Sequence, residues 1–291
     1  AGAAAGCVNW GFPTLADTDI PEILPTGICT YEHVVANVPH DELVQKSVEV
    51  RGLKVTVSDI DIPCSFGPAY EGERVRGDDL YAQMGGGKSQ CTELTKMAEM
   101  NEIDDGKIEV VGPDLTDIKA GDNIPLGIYV QIAGREFQTD FEPIIERQIH
   151  HLINYIQGVM HIGQRDIAWI RVSKAAIEKG FTFKHIGTVL HAKFHQDFQK
   201  IVDKVQVTLY TDKKDVDQLT KRARGEYKTR DERVEKMTDE DVETYYSCTL
   251  CQSFAPTHVC TVSPERTGLC GAYNWMDCKA SFEINPTGPN Q

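Results

Sequence analysis

Cys248-Thr-Leu-Cys251-Gln-Ser-Phe254-Ala-Pro-Thr-His-Val-Cys260, running on through Thr-Val-Ser-Pro264-Glu-Arg-Thr-Gly268-Leu-Cys270 to Cys278, is the stretch around which the chain is organised. Cys248 and Cys251 form a C-x2-C turn, Cys260 follows after eight residues and Cys270 after nine more. Pro256, Pro264, Gly268 and Gly271 break regular structure between them, so a loop is predicted here. A C-x2-C turn brings two thiolates within reach of one ion or cluster, and the longer gaps let the chain return twice from other directions. Four ligands, Cys248, Cys251, Cys260 and Cys270, close one site.

Two metals compete for that loop. A structural zinc site is the plain reading of C-x2-C, but zinc knuckles usually use two short pairs and here only the first pair is short, which favours an iron–sulfur cluster. The gaps also miss the C-x2-C-x2-C run of bacterial ferredoxins, so simple electron transfer is not the obvious role. A disulfide framework is disfavoured, because nothing at the N-terminus reads as a signal peptide and a chain of 291 residues can bury a core without staples.

The same residues resemble a known family. C-T-L-C-Q-S-F-A-P-T-H-V-C followed by L-C-G-A-Y-N-W-M-D is similar to the cluster-binding signature of acetyl-CoA synthase, the nickel enzyme partnered with carbon monoxide dehydrogenase. Y-E-G-E-R-V-R at Tyr70 to Arg76, V-V-G-P-D-L at Val110 to Leu115 and I-N-Y-I-Q-G-V-M-H-I-G-Q-R-D at Ile153 to Asp166 resemble its middle domain. The likeness is close from about Pro68 onward and weaker before it. By resemblance, Cys248, Cys251, Cys260 and Cys270 hold a 4Fe-4S cubane, Cys251 bridges to a proximal nickel, and Phe254 crowds that nickel or anchors the loop as a core aromatic. Two nickel ions are implied in the family, with remaining ligands from a Cys-Gly-Cys motif that this sequence lacks. The chain is therefore expected to be an internal fragment, inactive alone.

The implied reaction joins CO, a methyl group from a corrinoid iron–sulfur protein and coenzyme A to give acetyl-CoA. The implied partners are the carbon monoxide dehydrogenase subunit, the corrinoid protein, coenzyme A and a ferredoxin. Residues upstream of Tyr70 suggest the longer bacterial form. The alternative is a non-catalytic iron–sulfur or zinc module for electron transfer or docking.

Composition sets the limits around this reading. A net charge of -14 leaves no basic face for phosphates and argues against nucleic acid. No apolar run approaches the ~20 residues of a membrane span, so the expected location is cytoplasmic. Residues 1–67 read as the tail of a preceding N-terminal domain with a linker, and Leu53 to Val57 as a short strand. Cys7, Cys29 and Cys64 are too far apart for a site and are expected to be lone buried thiols.

Residues 68–243 are expected to be an α/β middle domain of alternating strands and helices, and 244–291 the loop-rich start of a metal-cluster domain, truncated. Strands are predicted at Lys107 to Val111, Leu126 to Ile132, Ile167 to Val172 and Val205 to Tyr210. Ile145, Ile149, Leu152, Ile153, Ile156 and Met160 keep helical spacing after Pro143, Ser173 caps a short helix, and helices are predicted at Lys184 to Phe198 and about Asp215 to Lys236.

Met84-Gly-Gly-Gly-Lys-Ser89 invites a phosphate-loop reading, but the Walker spacing requires glycine where Ala82 stands. A turn leading into a helix over Thr92 to Met100 is expected instead, with Lys88, Arg74 and Arg76 available to an anionic part of coenzyme A. His150, His151, His161, His185, His191 and His195 read as solvated or hydrogen-bonded, since no carboxylate or thiol shares their spacing. Trp169 reads as core, or as a ring stacked on adenine beside Arg165 and Arg171. Lys213 to Arg230 carries a local charge of +4, either a solvated helix face with i,i+4 pairs or a surface where Arg222 and Arg224 meet coenzyme A or an acidic electron carrier.

Overall fold

The computed structural model describes residues 60–67, 70–134, 141–198, 201–249, 257–269, 273–284, 286, 288 and 290–291. They fall into two units, one within Asp59–Asp241 and the other within Val242–Gln291. The strand expected at Leu53 to Val57 lies outside the described residues, as do Cys7 and Cys29.

The first unit is α/β, as the alternation predicts. Its strands are β1 (Leu80–Gly85), β2 (Cys91–Met97), β3 (Ile108–Val111), β4 (Asp122–Ile124), β5 (Leu126–Ala133), β6 (Val159–Ile162), β7 (Trp169–Ser173) and β8 (Lys204–Tyr210). They build two mixed four-stranded sheets, ordered β4-β1-β7-β6 and β2-β5-β8-β3. In the first, β1 runs parallel to β4 and antiparallel to β7; in the second, β5 runs parallel to β2 and antiparallel to β8. Seven of the eight β5 residues are buried, which requires cover on both faces of that strand.

Helices supply the cover. They are α1 (Phe141–Asn154), α2 (Lys174–Glu178), α3 (Phe183–Asp197) and α4 (Lys213–Glu235). The α3 helix packs on β8 and β3, α4 on β2 and β5, and α1 on β2, β6 and α3. Val216, Leu219, Ala223, Tyr227, Arg230 and Val234 recur at three- and four-residue steps along α4 and are buried. Leu219, Ala223 and Tyr227 meet Leu94 of β2 and Tyr129 of β5 in one apolar cluster. Ser173 caps α2 as expected, its hydroxyl accepting from the Ala176 N–H at 3.1 Å.

Two sequence expectations fail here. Thr92 to Met100 is not helical: Cys91–Met97 is β2, paired parallel with β5 through Cys91↔Leu126 to Met97↔Ile132. Its consecutive burial in a two-sided sheet hides the alternation that would have marked it as a strand. The α1 helix also stops at Asn154, and Met160 belongs to β6, because Gly158 at φ +80° turns the chain out of the helix.

The second unit is small. A two-stranded antiparallel ribbon, β9 (Tyr246–Cys248) and β10 (Cys260–Val262), lies against α5 (Trp275–Ile284). Three-residue strands cannot sustain themselves in water. The Tyr246 ring is 5.9 Å from Trp275 and 5.7 Å from Phe282, and Trp275 Nε1 donates to the Thr244 carbonyl at 2.8 Å. Asn274 and Asp277 cap α5 reciprocally, each side chain accepting the other's backbone N–H at 2.9 Å.

Candidate metal centre

Cys248 ends β9 and Cys260 opens β10, and the ladder register makes them direct partners: Tyr246↔Val262, Ser247↔Thr261, Cys248↔Cys260. Paired residues of an antiparallel ladder project to the same face with Cβ atoms roughly 5 Å apart. Two residues separated by eleven others in sequence thus present sulfurs together. Both are free thiols, Cys248 buried and Cys260 partly so. Cys251, Phe254 and Cys270 lie outside the described residues.

The surroundings of Cys260 include a residue that sequence reasoning passed over. His258 Nε2 is 3.1 Å from Cys260 Sγ, so an imidazole N–H can donate to that sulfur. The H-x-C spacing across an extended strand start was the available signal, since alternate residues share a face. Cys278, the fifth cysteine of the stretch, is fully buried in α5 and takes an N–H from Asn290 at 3.4 Å. Asn290 also bridges to Cys248, and Ser247 exchanges backbone hydrogen bonds with Gln291 at 2.5 and 3.2 Å. Asn290 and Gln291 therefore border the cysteine-bearing strand.

The residues present fit a thiolate-bound metal group. Reduced sulfurs share one face of a short ribbon, a histidine N–H is directed at one of them, and a helix holds the ribbon from behind. This is the arrangement of a loop-wrapped iron–sulfur or zinc site.

The other residues singled out from sequence are not gathered into one site. Arg222 lies over the Tyr129 ring at 4.9 Å, and Arg224 donates to Asp166 at 2.6 Å. The Trp169 ring is covered by the Arg171 guanidinium at 4.6 Å, and Arg171 is tied to Gln83 and the Val75 carbonyl at 3.0 and 3.1 Å. Among the described residues no contact joins Arg222, Arg224 and Trp169, so their geometry lends no support to a shared coenzyme A site. The basic α4 is laced with ion pairs: Lys213–Asp217 at 2.5 Å, Lys228–Glu232 at 3.5 Å, Lys96–Glu226 at 2.9 Å and Arg165–Asp231 at 3.0 Å.

The glycine turn is equally structural. Gly85, Gly86 and Gly87 adopt φ of +76°, +69° and +81°, and the turn joins β1 to β2. A strand does precede it, contrary to expectation, but a strand also follows, so no helix N-terminus faces the loop to hold phosphate.

The histidines are hydrogen-bonded, as read from sequence, but several of their partners are carboxylates that spacing did not show. His161 is on β6, not a helix, and is fully buried against Glu93, while His150 Nδ1 lies 2.9 Å from His161 Nδ1. Carboxylates do reach the others: Glu71 meets His151 at 2.5 Å, and Asp105 meets His191 at 3.1 Å and His195 at 2.6 Å. Each carboxylate is 80 or more positions away in sequence, beyond the reach of a spacing rule. His185 instead helps start α3, accepting the Thr182 N–H at 2.9 Å. Cys64 is buried, as expected of a lone thiol, and burial raises its pKa.

Beneath α4, Glu146 of α1 and Arg230 form a buried pair at 3.3 Å. Arg230 also donates to the Thr95 carbonyl at 2.7 Å, and the Thr95 N–H donates to Glu146 at 2.9 Å. Burial raises the Glu146 pKa to about 7, with Arg230 opposing.

The described residues form an α/β unit and, in the second unit, two cysteines paired across a short β-ladder. Residues 62–216 match the family described as CO dehydrogenase/acetyl-CoA synthase complex beta subunit, and residues 227–291 match the C-terminal family of the ACS/CODH beta subunit. The chain belongs to the CO dehydrogenase/acetyl-CoA synthase complex beta subunit family. It is 50% identical over 291 residues to the carbon monoxide dehydrogenase/acetyl-CoA synthase subunit alpha of Moorella thermoacetica, covering 99% of this chain and 39% of that protein. It is 40% identical over 287 residues to the acetyl-CoA decarbonylase/synthase complex subunit beta 1 of Methanocaldococcus jannaschii, covering 99% and 37%. With the subunit beta of the corresponding Methanopyrus kandleri complex it shares 44% identity over 229 residues, 79% of this chain and 49% of the relative. The chain thus spans between about two fifths and half of these relatives. The Methanocaldococcus match takes in nearly all of the chain, so residues upstream of Tyr70 do not single out one form of the enzyme.

Proposed function

We propose that this chain is the part of an acetyl-CoA synthase that holds a 4Fe-4S cubane through Cys248, Cys251, Cys260 and Cys270. The observation that carries the reading is the pairing of Cys248 with Cys260 across the β9–β10 ladder, within a chain of this family. In the whole protein the proposed reaction condenses CO, a methyl group from a corrinoid iron–sulfur protein and coenzyme A to acetyl-CoA, in complex with a carbon monoxide dehydrogenase subunit and served by ferredoxin. When bound, the cubane with its nickel pair supplies the metal centre at which CO and the methyl group are brought together.

The chain's own residues hold and tune that centre. Cys248 and Cys260 contribute sulfurs from a preset ladder, so ligand geometry is partly fixed before metal arrives. The His258 N–H polarises the Cys260 sulfur, and the Tyr246–Trp275–Phe282 contacts prevent the ribbon from peeling away. Cys251 would help hold the nickel as well as the cubane, and Phe254 would either limit access to it or anchor the loop. Because the sequence contains no Cys-Gly-Cys, the 291-residue chain alone is expected to form no acetyl-CoA whatever nickel is added.

Anaerobic reconstitution with iron and sulfide tests the assignment. About four irons per chain with broad visible absorption are expected, abolished by Cys260→Ala and retained in Cys278→Ser. One zinc and no iron in protein purified without oxygen would overturn it in favour of a zinc module.

A further inference from the structure

A second group of metal-type ligands lies away from the cysteines, inside the α/β unit. His191 and His195 are one turn apart on α3, on the same side of the helix, with ring centroids 4.7 Å apart. Their Nε2 atoms converge on a single carboxylate oxygen, Asp105 Oδ1, at 3.1 and 2.6 Å. Asp105 sits in the turn before β3, and the same oxygen accepts the Val205 N–H of β8 at 3.0 Å. Burial alone would push the Asp105 carboxyl up, but the Val205 N–H and the two imidazoles outweigh it and hold it below its usual range.

We propose that Asp105, His191 and His195 form a binding site for a first-row divalent cation of the Zn2+ or Ni2+ type. Two imidazole nitrogens and one carboxylate oxygen are a donor set suited to such ions. Ligand atoms ~2.1 Å from one ion lie roughly 3 Å from one another, close to the spacing already present between each ring nitrogen and Asp105 Oδ1. Three protein ligands leave the remaining positions to solvent. All three residues are reachable, with side chains 27%, 29% and 43% exposed for His191, His195 and Asp105. The comparable group of Glu71, His150 and His151 is less suited, because His150 Nδ1 is engaged with His161. Binding there ties α3 to the turn before β3 through one ion, while the Val205 N–H holds the same carboxylate from β8.

Zn2+ titration of the full chain labelled with 15N-histidine tests the site. The His191 and His195 ring signals, assigned with His191→Gln and His195→Gln, are expected to shift together and saturate at one equivalent. Asp105→Asn keeps an oxygen for the Val205 N–H but weakens Zn2+ binding at least tenfold. Cys248→Ser with Cys260→Ser leaves the response intact, which separates this site from the cysteine loop and its fate from that of the cluster. His151→Gln also leaves it intact. Zinc-induced shifts confined to other histidines, a response lost with the cysteines, or undiminished affinity in both His191→Gln and Asp105→Asn would overturn the proposal.

Discussion

His258 Nε2 stands 3.1 Å from the sulfur of Cys260, two residues further along the same extended segment. A hydrogen bond to a ligating sulfur draws off its electron density and stabilises the reduced cluster, one of the levers that set iron–sulfur potentials. His258→Ala is expected to leave the iron content unchanged and to move the reduction potential to more negative values, read by spectroelectrochemistry. An unaltered potential would place His258 outside the cluster's electrostatics.

Gly85 has no room for a side chain: a Cβ there would lie 2.1 Å from the Ala168 carbonyl, at a φ of +76° that side-chain-bearing residues avoid. Gly85→Ala is expected to cost about 2 kcal/mol or more, measured by denaturant unfolding. Lys88→Ala, in the same turn, is expected to change stability by no more than ~0.5 kcal/mol. Equal effects from the two would contradict the view that this motif is a packing device.

Much of the first unit was legible because its elements carry local signals. Leu126 to Ile132, Val205 to Tyr210, α3 and α4 all show apolar runs or helical spacing that survive into the fold. What stayed hidden depended on distant partners. Cys91 to Thr95 of β2 is buried without a break, polar Thr92, Glu93 and Thr95 included, which erases the two-residue rhythm of a strand. Asp105 meets His191 and His195 only because β3 and β8 are neighbours, and sequence does not state that adjacency. The candidate cysteines were singled out by spacing, whereas the pairing of Cys248 with Cys260 is a matter of ladder register.

Arg230 and Glu146 are both buried, at 7% and 3% exposure, and hold Thr95 of β2 between them. Removing one partner of a buried pair leaves a charge without compensation, at a cost of roughly 3–5 kcal/mol. Arg230→Ala is expected to lose stability in that range, while Glu146→Gln, which keeps an acceptor and a matching shape, loses less. In Arg230→Ala the opposition to burial is gone, so Glu146 keeps its proton to higher pH than in the parent, and the deficit shrinks as pH falls towards about 7, below which both proteins carry the proton. A deficit independent of pH would show that Glu146 is not the residue left exposed to the loss.

His150 should make the protein sensitive to mild acid. Burial comes first and the His161 and His151 imidazoles second in lowering its pKa from the ordinary ~6.5 to about 4, with Glu71 opposing. Its other close neighbour is the Asn154 amide, 3.4 Å from Nε2. Between those two values the unfolded chain carries more protons at this position than the native one, so stability is full above ~6.5 and declines as pH falls towards 4. Allowing for partial exposure, the decline between about pH 7.5 and pH 5 is on the order of 1 kcal/mol. Glu146 acts in the opposite direction, since its folded pKa is raised, and its contribution is common to the protein with and without His150. The difference between the parent and His150→Gln therefore isolates the histidine. Unfolding free energies measured across that range should fall more steeply in the parent than in the variant, and parallel curves would show that the His150 ring titrates alike in the native and unfolded states.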